Sequence, residues 1–163
     1  MLWLWLANFI GLSAFAFYLL VLNAPPSQAT LALHQALTGV TEIRIRVGCI
    51  SSDSGSSKKI VRTLNGAEVN PFIQALRVEH DWRVFTPMAC NLYTFEFYRQ
   101  DALVAEIGYY SNLLVWHDSK GHPGDWHDGR AESGRALTWR AKRYLSGLLT
   151  PYERIRRKEL YKP

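Results

Sequence analysis

The sequence predicts an α+β fold: an N-terminal transmembrane helix, then a small antiparallel sheet of about five strands in the order β-β-α-β-β-β-α, with two helices on one face. Three patterns carry this reading. Nineteen of the first 22 residues are apolar and none is charged. Apolar and polar residues alternate over 43–47 and again over 92–98, which is the period of a half-buried strand. Leu137, Ala141, Tyr144, Leu145 and Leu148 recur at helical spacing, giving one apolar stripe. Strands that alternate imply a sheet covered on one face only.

The opening segment, 1–22, reads as a membrane anchor. As a helix it reaches about 33 Å, enough to cross a hydrocarbon core of about 30 Å. A domain of this size has no room to bury a helix that is apolar on every side. The rival is a secretory signal cleaved near Ala29, since Ser27-Gln28-Ala29 is a small-x-small site. Against cleavage stand an apolar run longer than the roughly 7 to 15 residues of a signal core and the missing basic flank. Trp3, Trp5 and Tyr18 suit the two membrane interfaces. The first basic residue is Arg44, so the positive-inside rule gives no direction.

Residues 23–39 read as a linker and short helix. Pro25-Pro26 favours extended backbone, Thr30 can cap a helix over Leu31, Leu33, His34 and Leu37, and Gly39 supplies a left-handed stop. Residues 40–150 form the globular domain. Ile43, Ile45 and Val47 share one strand face and Glu42, Arg44 and Arg46 the other. After the polar loop 51–57, Ile60, Val61 and Leu64 mark a second strand closed by Asn65-Gly66. Asn70 at the N-cap and Pro71 at the first turn start a helix whose buried stripe is Phe72, Ile73 and Leu76.

Tyr93, Phe95 and Phe97 alternate with Thr94 and Glu96, and the turn Arg99-Gln100-Asp101 leads to Leu103, Ala105 and Ile107 in a hairpin. Leu113–Trp116 adds a third consecutive strand. A loop follows from His117 to Arg130, then Ser133 caps the last helix, which Pro151 ends. The tail, 151–163, carries five basic and two acidic residues and suits an anionic lipid surface or a solvated terminal helix.

With 163 residues, two cysteines and 21 aromatic side chains, the chain is one small domain with an appendage, neither disordered nor a disulfide scaffold. Cys49 and Cys90 form a candidate disulfide outside the cytoplasm, one that would close a loop of about 42 residues and stabilise by up to about 4 kcal/mol. Their alternative is two buried thiols.

His117, Asp118, His122, Asp125, His127 and Asp128 crowd one segment, with imidazole and carboxylate suited to a transition metal. The five-residue histidine spacing, broken by Pro123 and glycines, matches no ligand motif. The segment therefore reads as a turn-rich loop, with His117, His122 and His127 as candidate metal ligands only. The serine-rich run 51–57 lacks the glycine-lysine-serine end and the helix of a phosphate loop, and no glycine-x-serine-x-glycine elbow is present.

The functional expectation is a single-span, membrane-anchored protein whose non-catalytic binding or assembly domain lies outside the cytoplasm. No catalytic residue, cofactor, nucleic-acid module or small-molecule substrate is expected. The expected partners are the membrane and a protein docking on the exposed sheet face, which offers Arg44, Arg46, Arg62, Glu96, Glu106 and Tyr98. The enzyme alternative is a metal-dependent hydrolase built on 117–128, with Asp118 or Asp125 as base.

Overall fold

The computed structural model describes residues 25–47, 59–79, 84–85, 92–110, 113–118 and 133–160, together with Ser13. The helices are α1 (Gln28–Ala36), α2 (Val69–Ala75), α3 (Trp139–Leu149) and α4 (Glu153–Leu160). The strands are β1 (Glu42–Val47), β2 (Lys59–Asn65), β3 (Val84–Phe85), β4 (Tyr93–Arg99), β5 (Ala102–Tyr110), β6 (Leu113–Asp118) and β7 (Ser133–Ala136). The fold is α+β. Six strands form an open antiparallel sheet in the order β2-β1-β4-β5-β6-β7, and the two-residue β3 adds to the β7 edge. Among the described residues no helix is long and apolar enough to cross a membrane. The expected span 1–22 lies outside them except for Ser13, which is helical and exposed.

The core follows strand parity. Ile43, Ile45 and Val47 of β1 stand opposite Phe97, Phe95 and Tyr93 of β4, which in turn face Ala105, Ile107 and Tyr109 of β5. The helices pack on this face. Phe72 of α2 is fully buried, meeting Phe95 edge-on at 5.2 Å and Phe97 and Tyr144 at 6.2 Å each, the edge-on arrangement aromatic quadrupoles favour. Leu33 of α1, Leu37 just after it, and Ala141, Leu145 and Leu149 of α3 complete the core. Ile155 and Tyr152 pack against it, and the Tyr93 hydroxyl donates to Glu153 at 3.0 Å. The basic tail is thus tied to the domain through α4.

Several boundaries differ from expectation. The sheet has more than five strands, because Ser133 opens β7 where a helix cap was expected. There the backbone is taken up by the sheet: Leu113 pairs Ala136, Val78 bridges Leu137, and Glu79 N–H donates to Ala136 O at 2.8 Å. The helix starts six residues later, with Thr138 in extended backbone and its hydroxyl accepting from Ala141 N–H at 3.3 Å. For α1 the cap is Ser27, whose Oγ accepts from Thr30 N–H at 3.2 Å, and not Thr30. The Thr30 hydroxyl is instead spent inside the domain, accepting from Val78 N–H at 3.1 Å. For α2, Asn70 is not the cap. A 3-10 turn, Gly66–Glu68, leads into the helix, and Pro71 falls in the first turn, where backbone N–H groups have no helical partner in any case. His117 and Asp118, expected to open a loop, are the last two residues of β6.

Gly39 is left-handed, with φ of +78°, and an added Cβ would meet Arg99 Nε at 3.3 Å, so both conformation and space require glycine there. The β4–β5 hairpin closes on Gln100 and Asp101, with φ of 49° and 66°, the two left-handed residues of a type I′ turn. Neither is the residue this turn prefers. Replacing the pair by Asn-Gly should raise stability by about 1 kcal/mol, read as a higher thermal midpoint by circular dichroism; an unchanged midpoint would contradict it. Phe72→Ala should cost roughly 3–5 kcal/mol in the same assay, since the aromatic cluster cannot close over the void.

Candidate functional site

The second face of the sheet is set by the same parity. Where odd-numbered residues of β4 enter the core, Thr94, Glu96 and Tyr98 point to the other side. Register places Glu42 opposite Tyr98, Arg44 opposite Glu96 and Arg46 opposite Thr94. It then continues the middle row through Glu106 of β5 to His117 of β6. Four adjacent strands therefore contribute Arg44, Glu96, Glu106 and His117 to one row across the sheet.

Glu96 is the centre of this face. It is only 5% exposed, and both carboxylate oxygens are engaged: Arg46 Nε lies 2.7 Å from Oε1, and the Tyr98 hydroxyl donates to Oε2 at 2.9 Å. Burying a carboxylate is costly unless it is paired and hydrogen-bonded, and these two partners supply both conditions. Arg44 lies over the Tyr98 ring at 4.2 Å and donates to Glu42. The guanidinium is thus held from two sides, by a ring face and a carboxylate. Half-buried Arg44, Arg46, Tyr98 and Glu42 form a preorganised polar surface around one buried charge.

The expected uncovered face is not uniformly open. Thr94 is fully buried, and Gly108 and Val115, next to it in register, are buried as well. Arg62, expected on this face, is a correction. Arg62 stands opposite Ile45 in the same unbroken register that sets buried Leu64 opposite Ile43, and so lies on the helix side, where it donates to Glu68 at 2.7 Å. The exposed Ile60 stands opposite Arg46 in its place. Arg62 is two residues before buried Leu64, so strand parity already gave it that side; the bulge acts beyond it, turning Ile60 onto the second face, and such a shift leaves no mark in a period-two pattern. Arg135 was also missed: it stands opposite Leu114 on the helix side and is buried.

The candidate metal ligands are not gathered by the described residues. His117 and Asp118 are consecutive in β6, opposite Glu106 and Ala105 in register. His122 and His127 lie outside the described residues, as do Asp125, Asp128 and both cysteines, Cys49 and Cys90. Among the described residues no group of three His, Cys, Asp or Glu side chains could hold a metal ion.

Burial, with a hydrogen bond to Glu96 second, pushes the Tyr98 phenol above its ordinary value; Arg44 and Arg46 oppose this. Tyr93 is pushed up by burial and by its bond to Glu153, and Tyr109 and Tyr144 chiefly by burial. No protein-family model matches the chain, and no curated protein or solved structure matches it either.

Two outcomes follow from this geometry. Glu96→Ala removes the carboxylate that pairs with Arg46 and accepts from Tyr98 and should cost about 2–3 kcal/mol. Glu68→Ala, which breaks the exposed pair with Arg62, should cost under about 1 kcal/mol; equal costs in denaturant titration would contradict the ranking. The four raised tyrosines also set an alkaline limit. Above pH about 10 the unfolded chain loses phenolic protons that the folded chain keeps, so stability should be complete below that pH and fall as pH rises toward the folded values. Phenolate absorbance of the native protein should appear later than that of the unfolded chain, and coincident titrations would refute the shifts.

Proposed function

We propose that the chain is a single-span membrane protein whose α+β domain acts outside the cytoplasm as a non-catalytic binding or assembly module, docking a protein partner on the second sheet face. The observation carrying this reading is the cluster around Glu96. Its arginines and tyrosine are of the types that protein interfaces favour, and they are fixed before any partner arrives, which lowers the ordering cost of association. Engagement of both Glu96 oxygens suits support of neighbouring side chains better than proton transfer. The chemistry offered outward is planar guanidinium beside a phenol ring, which matches a partner surface carrying carboxylates. The membrane assignment rests on the uncharged apolar run 1–22.

The test places a photo-crosslinking residue at Ile60, exposed on the docking face, and another at exposed Ser146 on α3, in the full chain in its native membranes. A discrete protein adduct should form at Ile60, be absent at Ser146, and be lost when Arg44→Glu reverses the charge of the face. A reporter fused to the C-terminus should be active only outside the cytoplasm. Equal labelling at the two positions overturns the docking face, and a reporter active only inside overturns the location.

A further inference from the structure

The net positive charge of this protein arises in one stretch of its sequence. Residues 139–160, which span α3 and α4, hold seven basic and two acidic side chains, whereas the rest of the chain holds twelve of each. The whole formal charge of +5 therefore arises there. Arg156 is paired with Glu153 at 2.6 Å and Lys142 with Glu79 at 3.6 Å. Arg140, Arg143, Arg154, Arg157 and Lys158 are exposed and make no ion pair among the described residues. Trp139, on the first turn of α3, is 60% exposed, more than any other large apolar side chain described, and the Arg143 guanidinium lies 5.4 Å from its ring centre. An exposed tryptophan among arginines on the polar side of an amphipathic helix is the composition of a membrane interface: the ring suits the headgroup boundary and the cations suit anionic lipid.

A second observation concerns where the chain enters the domain. Ser27 Oγ donates to Val78 O at 3.2 Å and Thr30 Oγ1 accepts from Val78 N–H. Val78 bridges Leu137, and Thr138 N–H donates to Arg77 O at 2.9 Å. Thr138 is the cap of α3. The start of α1 and the start of α3 thus meet on one short ladder, and each shows an exposed apolar side chain: Trp139 on α3, and Leu31, 45% exposed, on α1. Between the apolar run 1–22 and Ser27 lie four residues, a reach from Leu22 to Ser27 of at most about 18 Å. A chain leaving the bilayer at Leu22 therefore delivers this end of the domain to the surface it has just left.

We propose that the first turns of α3, through Trp139, Arg140 and Arg143, rest on the bilayer surface and bind anionic phospholipid headgroups, with the basic side chains of α4 adding long-range attraction. This rests on the reading of 1–22 as a membrane span. The domain would then sit on the membrane in a fixed pose, with the tether and the lipid contact at one end.

The test uses the full chain in vesicles of phosphatidylcholine alone or mixed with phosphatidylglycerol, each doped with bromine-labelled lipid that quenches tryptophan on contact. The difference between the wild-type chain and Trp139→Phe reports Trp139. That difference should be large with phosphatidylglycerol, small without it, and diminished by salt. Arg140→Glu with Arg143→Glu should abolish it, and Lys59→Glu, an exposed charge on β2, should leave it unchanged. About fivefold in surface affinity is expected per basic residue removed. Equal quenching of wild type and Trp139→Phe in both lipids overturns the proposal, as does shielding of Trp139 from aqueous quencher without lipid quenching, which would assign the patch to a protein. Alkaline extraction of the same vesicles tests the span separately. A chain that resists extraction without Trp139 quenching keeps the span and loses the lipid contact. A chain extracted by alkali whose Trp139 was quenched keeps the contact and loses the span.

Discussion

The structure depends on the burial of one face of β4. Tyr93, Phe95 and Phe97 occupy alternate positions on an interior strand, and all three are sealed beneath α2 and α3. A one-residue slip of this strand would exchange three buried aromatic residues for Thr94, Glu96 and Tyr98. The residues that make the core thus also exclude any one-residue slip in the pairing with β1 and β5. The short helix α2 is useful for one side chain above all, because Phe72 fills the space over Phe95 and Phe97.

The character of the second face is a consequence. Once the aromatic residues are turned inward, Glu96 must stand near the middle of the opposite face, where its neighbours across both strands exclude water from it. A carboxylate so placed persists only with partners, and Arg46 and Tyr98 provide them from the adjacent strand and the next position of its own. Arg44 and Glu42 then close over Tyr98. The candidate binding face is therefore built outward from a buried charge. Its rigidity comes from satisfying that charge, whereas an ordinary exposed sheet face leaves long polar side chains free to move in water.

Sequence reading located the strands best where one face is buried and the other is polar. Over β1 the alternation survives as alternating burial, whereas over β4 it survives only as alternating chemistry, since Thr94 and Glu96 are buried along with the aromatic residues between them. It was weakest where an element is made by its neighbours. The Ser133–Ala136 strand has no periodic apolar pattern and exists because β6 and residues 77–79 offer it backbone partners on both sides. The caps of α1 and α3 moved for a related reason: each has more than one hydroxyl near its start, and packing decides which one faces the helix and which serves the domain. Of the candidate site, Arg44, Arg46, Glu96 and Tyr98 were legible as one face, whereas the bulge that turns Ile60 onto it was not. Trp139 passed unnoticed because it falls outside the apolar stripe of its helix, and a residue outside the stripe gains meaning only once its exposure and its neighbours are known.

The sequence by itself determined the α+β class, the left-handed stop at Gly39 and the grouping of Arg44, Arg46, Glu96 and Tyr98 on one side of their strands, because each follows from local steric preference or from side-chain period. Tertiary structure alone decided that Glu96 is buried and paired, that a bulge turns Ile60 to the second sheet face, and that the starts of α1 and α3 share a ladder at Val78 and Leu137. These depend on contacts between residues distant in the chain, whose energies are set by mutual exclusion of water and by hydrogen-bond partners that no local window of sequence contains.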